Sequence, residues 1–131
     1  MKLNHNNYVD FAEKAINNLL KRKDRKGRPI SIVTTSKLRN LLSMTQDIYN
    51  EVINSKEETL SEEMIGRINY LKIRVIYEAG RDESVKALVE EAELIDHINE
   101  INGSRQQYIL FSRYMEALVA FRKFYGGRDD N

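Results

Sequence analysis

The stretch Arg113-Tyr114-Met115-Glu116-Ala117-Leu118-Val119-Ala120-Phe121-Arg122-Lys123 dictates the architecture of this chain. It is apolar almost all round a helix and then turns basic. A helix that is greasy on every side is either central to a bundle or covered by a partner. Tyr108, Ile109, Leu110 and Phe111 extend the same character toward the N-terminus, and Phe124, Tyr125 and the pair Gly126-Gly127 close it. The reading is a helical protein with this helix in its middle or in a subunit contact.

Beyond this stretch, the 131 residues contain one proline and six glycines, a scarcity that suits helices with short connections. Five helical segments follow from periodicity. The first covers Tyr8 to Arg22, with Phe11, Ala12, Ala15, Ile16 and Leu19 on one face. Gly27 and Pro29 forbid its continuation, and Ile30, Ile32 and Val33 are expected to tuck the following loop back onto the bundle. The second segment begins at Thr34 or Thr35, both good N-caps, and its stripe from Leu38 to Ile53 ends near Asn54. Ser61 caps the third, whose expected core face includes Met64, Ile65, Ile68, Leu71, Val75, Ile76 and Ala79, with Gly80 as its stop. Asp82 caps a fourth that runs unbroken to Asn102-Gly103, with an acidic outer face of Glu83, Glu90, Glu91, Glu93, Asp96 and Glu100. Ser104 caps the fifth. The fold class is all-α, a compact bundle of about five helices in a single domain, residues 1–131.

Composition excludes several functions. There is no cysteine, hence no disulfide, thiolate metal site or cysteine nucleophile. The N-terminal residues lack a signal-peptide core, and no stretch approaches the roughly 18 apolar residues of a membrane span. A soluble, cytoplasmic protein with no membrane association is the expectation. The two histidines, His5 and His97, do not form the paired Glu-x-x-His pattern of a carboxylate-bridged metal bundle, because Leu94 stands three residues before His97. His97 reads as an exposed histidine on an acidic face. No phosphate loop and no nucleophile–base pair occurs, so no catalytic residue, metal or cofactor is assigned.

Charge is distributed unevenly. Residues 1–56 carry 11 Lys/Arg against 5 Asp/Glu, residues 57–103 carry 5 against 12, and residues 104–131 carry 5 against 3. Such asymmetry fits a nucleic-acid face opposite an acidic one, head-to-tail stacking of copies, or simply an unevenly charged solvated surface. On the third helix Arg67, Tyr70, Arg74, Tyr77 and Arg81 recur at spacings of three and four and share one stripe. Arginine contacts phosphates and tyrosine stacks on bases, a pairing suited to single-stranded nucleic acid. The same tyrosines could instead pack on the last helix. Lys21–Arg28 holds six basic residues in eight, a contact for a phosphate backbone or a solvated loop. Lys37 and Arg39 lie near a helix N-terminus, where exposed N–H groups favour an anion.

Three places together resemble a known family: Thr34-Thr35-Ser36-Lys37-Leu38-Arg39-Asn40-Leu41-Leu42, Leu71-Lys72-Ile73-Arg74-Val75-Ile76-Tyr77-Glu78-Ala79-Gly80-Arg81, and Tyr114-Met115-Glu116-Ala117-Leu118-Val119-Ala120-Phe121-Arg122-Lys123. The chain resembles the small helical subunit of type III-A CRISPR–Cas effector complexes, the Csm complexes. None of the three is a catalytic signature. The resemblance implies a non-catalytic, all-helical protein acting in antiviral defence, stacked head to tail in several copies beside the backbone subunits that hold the guide RNA. It implies contacts with the backbone and large subunits, and a basic groove against target RNA paired to the guide. RNA cutting would belong to the backbone subunits, and DNA cutting and cyclic-oligoadenylate synthesis to the large one. Carried over residue by residue, Lys37, Arg39, Arg74, Arg81, Arg122 and Lys123 become RNA-contact candidates. Arg67 joins them from helical spacing. Glu116 is expected to partner an arginine. The alternative is a cytosolic helical adaptor that binds proteins and ignores RNA.

Overall fold

Polar caps divide the chain into its helices, and a computed structural model describes the result for residues 2–126. Six helices follow one another: α1 (Tyr8–Lys21), α2 (Thr35–Val52), α3 (Glu62–Arg81), α4 (Glu83–Glu91), α5 (Leu94–Asn99) and α6 (Arg105–Phe124). No strand occurs among the described residues, only isolated bridges at Lys23–Pro29 and Thr59–Ser104. Thr34, Ser61, Asp82 and Ser104 cap their helices as expected. Each side-chain oxygen accepts from a backbone N–H two or three residues on, which satisfies one of the orphan donors of a first turn.

The apolar last helix takes the centre. α6 packs along α1 on one side and α2 on the other, and also touches α5. Tyr108, Leu110, Phe111, Tyr114, Met115 and Leu118 are all buried. Full burial of one such side chain is worth about 1.5–3 kcal/mol. Two of them carry hydroxyls, and each finds a carbonyl: Tyr108 Oη donates to Thr45 O at 2.7 Å, and Tyr114 Oη donates to Ala92 O at 2.8 Å. Burial pushes both phenols above their usual range.

α6 runs antiparallel to α2. At one end Arg105 closes the C-terminus of α2, donating to Val52 O, Ser55 O and Ile53 O at 3.3, 2.7 and 3.2 Å. A cation on orphan carbonyls also complements the negative end of the helix dipole. At the other end Arg122 Nε donates to Val33 O at 2.8 Å, fixing the 30–33 segment that folds back as anticipated. Val33 itself is fully buried.

Two expectations about helix limits change. Gly80 does not stop α3, which runs on to Arg81; the extended Asp82 (φ −143°) ends α3 and caps α4 in one residue. The expected fourth helix is two helices, because Glu93 adopts a left-handed conformation (φ 52°). The break has a physical partner: the buried Tyr114 hydroxyl satisfies the Ala92 carbonyl released there. It also re-aims the chain so that Leu94, His97 and Ile98 point inward.

His97 is therefore not exposed. Only 4 % of it is accessible. Its ring stacks at 6.5 Å from that of Phe11 and meets Tyr114 edge-on at 5.0 Å, while Nδ1 lies 2.9 Å from Glu100 Oε1. The acidic face is also less free than expected. Arg22 reaches Glu90 at 2.6 Å and Glu91 at 3.3 Å, so part of the complementarity between the basic N-terminal third and the acidic middle is satisfied within one chain. The basic loop that follows Arg22 is likewise ordered from within. Asp24 Oδ1 accepts from the N–H groups of Lys26 and Arg28, and Gly27 supplies the positive φ of 79° that closes the turn. These bonds, that to Arg28 first, hold the Asp24 carboxyl below its ordinary value. Glu116 is exposed and accepts from Gln46.

Candidate nucleic-acid interface

α3 lies against α2, α4 and α5, with its arginine row turned toward α2. Ile68, Leu71 and Val75 form its buried stripe. Tyr70 and Tyr77 are 62 % and 55 % accessible, so they do not pack on the last helix. Ile73 and Ile76 are exposed as well, and Ile76 and Ile65 leave the expected core face.

Where α2, α3 and the start of α4 meet, a cavity of about 530 Å³ opens. It brings together Lys37, Arg74 and Arg81, three candidates from two different helices, beside Asn40, Glu78 and Asp82. Lys37 Nζ lies 2.7 Å from Asp82 Oδ2. This contact, with the hydrogen bond from Ser84, depresses the Asp82 carboxyl to about 2. Arg74 Nη2 donates to Glu78 Oε2 at 3.2 Å, and Arg81 Nη1 sits 3.8 Å from the same carboxylate. Both guanidinium groups also lie over the Tyr77 ring, 5.4 and 5.8 Å from its centroid. One carboxylate and one ring thus hold two arginines side by side.

Of the other candidates, Arg67 adjoins this cavity on the next stretch of the α2–α3 seam and pairs with Glu51. Arg39 is exposed on α2 and Lys123 is exposed at the end of α6; neither lines the cavity. Arg122 corrects its expectation. It is 6 % accessible, its Nε is committed to Val33 O, and burial lowers its pKa. A guanidinium in that setting ties α6 to the 30–33 segment.

Asn40, Met44, Glu78 and Asp82 belong to the site, although sequence reasoning does not single them out for it. A polar Asn40 one turn after Lys37 is the available signal. The Lys37–Asp82 contact depends on how the α3–α4 junction meets the start of α2, which periodicity does not encode. Among the described residues no group of three His, Asp or Glu side chains is placed to hold a metal ion, and no helix is long and apolar enough to cross a membrane.

Comparison with known proteins agrees with this architecture. Residues 13–128 match the family model described as Csm2 Type III-A. The chain is 44 % identical over 127 residues to the CRISPR system Cms protein Csm2 of Streptococcus thermophilus, covering 97 % of this chain and 98 % of the relative. It is 36 % identical over 124 residues to the protein of that name from Enterococcus italicus, covering 89 % and 88 %. The Mycobacterium tuberculosis protein of that name is 37 % identical over 97 residues, covering 74 % and 78 %. With a family match over most of the chain and relatives aligned nearly end to end, the chain belongs to the Csm2 family, the small subunit of type III-A CRISPR systems.

Proposed function

We propose that this protein is a non-catalytic RNA-contacting subunit whose α2–α3 seam lies along RNA in the guide–target duplex. The observation that carries the reading is the convergence of Lys37, Arg74 and Arg81 on one cavity from separate helices. A row of cations of that kind suits a phosphate backbone and is indifferent to base sequence. Arg67 extends the row along α3, while Arg39 and Lys123 are exposed outside the two cavities. Glu78 and Asp82 lie among these cations, so the three that line the cavity carry a surplus of a single positive charge. A single copy then binds RNA weakly, and several stacked copies bind through avidity. The exposed Ile73 and Ile76 supply apolar area for contacts with a further copy or with the backbone and large subunits.

The experiment is RNA affinity against salt for Lys37→Ala, Arg74→Ala and Arg81→Ala, with circular dichroism as the folding control. Each variant should weaken binding similarly for unrelated sequences. Each should also flatten the log–log salt slope by about 0.7 for every single-strand phosphate that is no longer neutralised. Lys14→Ala and Lys56→Ala, outside the seam, should do little. Folded seam variants with the parent's affinity and slope would return the protein to the class of adaptors that ignore RNA.

A further inference from the structure

Beside the basic cavity, and sharing Met44 and Arg74 with it, lies a second cavity of about 530 Å³. Its character is different. Ile48 and Leu71 are buried at its base, and Met44 and Tyr70 add apolar surface. Tyr70 is 62 % accessible, an unusual position for an aromatic ring on a helix that has a core face of its own. One turn earlier stands Gly66, where an added Cβ would meet nothing within 4 Å, so the surface beside Tyr70 is open. Asp47 and Glu63 stand at the rim.

We infer that this second cavity receives one nucleobase that is left unpaired within or beside the guide–target duplex, stacked on Tyr70, from the RNA strand whose backbone lies on Lys37, Arg74 and Arg81. The inference rests on the RNA reading of the neighbouring cavity and adds to it a base-binding site. The layout is that of a nucleotide: an anion site and a flat apolar site joined through Arg74. Tyr70 and Arg74 are four residues apart on α3, so their side chains are neighbours on one face, about 5–6 Å between Cβ atoms. Stacking is the contact every base can make, whereas bases within an A-form duplex are already stacked and cannot enter. Arg67 also lines this cavity and pairs with Glu51, and Asp47 and Glu63 are the rim carboxylates. They accept hydrogen bonds from the exocyclic amino groups of adenine, cytosine or guanine, where uracil presents carbonyls. Tyr77 is unsuited to the same role because Arg74 and Arg81 already lie over its ring.

The test uses the full chain with three single-stranded RNAs of equal length: oligoadenylate, oligouridylate and an abasic oligoribonucleotide. Tyr70→Ala should lower affinity for oligoadenylate about thirtyfold, the middle of the range for losing one stacked base. It should leave the abasic affinity and the salt slope at the parent's values, and Tyr70→Phe should restore the loss. The parent should prefer oligoadenylate to oligouridylate. Equal loss on abasic and base-bearing RNA, or no loss on either, overturns the inference while Arg74→Ala still reports on the backbone groove. RNA binding absent from the parent removes the groove and the base site together. Unchanged RNA affinity with altered sedimentation of Tyr70→Ala would assign the apolar half to a protein contact, again against the inference.

Discussion

Replacing Glu78 by glutamine should tighten RNA binding. In the free protein its carboxylate lies 3.2 Å from Arg74 and 3.8 Å from Arg81, competing with any phosphate for both cations. A phosphate on Arg74 would stand about 6 Å from that carboxylate, a repulsion of about 0.7 kcal/mol in water and larger in a half-buried site. Taking about 1 kcal/mol as the working figure at low salt, Glu78→Gln should gain roughly fivefold in affinity. Screening should reduce the gain to about threefold or less at physiological salt, where the Debye length is about 8 Å. The cost to the helix is small, because an i,i+4 pair that keeps much of its contact with water contributes about 0.3–0.5 kcal/mol. Fluorescence anisotropy of a labelled single-stranded RNA, titrated at several salt concentrations, measures both quantities. The salt slope should steepen as the freed arginines engage more phosphate. Weaker binding with unchanged helicity would overturn this expectation, since Glu78 would then be holding the arginines in their binding position rather than competing for them.

Tyr114→Phe should lower stability by about 1–3 kcal/mol, because the Ala92 carbonyl at the α4–α5 break loses its buried donor; an unchanged denaturation midpoint would mean that water reaches the break. Arg122→Ala should cost about 2–3 kcal/mol through removal of the bond to Val33 O and of the packing around it, with the RNA salt slope of the folded protein unchanged. A flatter slope would return Arg122 to the RNA contacts. The Asp82 carboxyl, depressed from 3.8 to about 2, contributes stability that is complete above its ordinary value and is lost as pH falls through about 2. Discounted for the exposure of Lys37, this amounts to about 1 kcal/mol. Acid denaturation of Asp82→Asn should therefore be flatter than the parent's between about pH 4 and 2, and a curve parallel to the parent's would mean that Asp82 is not the group titrating.

Much of the fold is legible in the sequence because capping chemistry is local. Thr34, Ser61, Asp82 and Ser104 each announce a helix within three residues, and the all-round apolar stretch announces the central one. The break at Glu93 is not legible. The apolar spacing continues through Ala92, Ile95 and Ile98, and only Tyr114, distant in sequence, supplies the hydroxyl that satisfies the interrupted turn. His97 misleads for a related reason: acidic neighbours in sequence say nothing of Phe11 and Tyr114 closing on the ring from two other helices. Arg122 reads as the basic end of a helix, but antiparallel packing against α2 slides that end under the 30–33 segment. The basic site is half legible. The arginine row of α3 follows from spacing alone, whereas its meeting with Lys37, and the carboxylates that hold both, depend on how α2, α3 and α4 dock.

Proximity is the sharpest test of RNA lying on the α2–α3 seam. A photoreactive residue in place of Asn40, an uncharged residue that lines the basic cavity, leaves every cation of the seam intact. In the assembled effector loaded with guide and target, irradiation should crosslink that position to RNA, and the same residue at Lys14 on α1 should not crosslink. Crosslinks to RNA from position 14 with none from position 40 would place the RNA on another face of the bundle and rule out the seam.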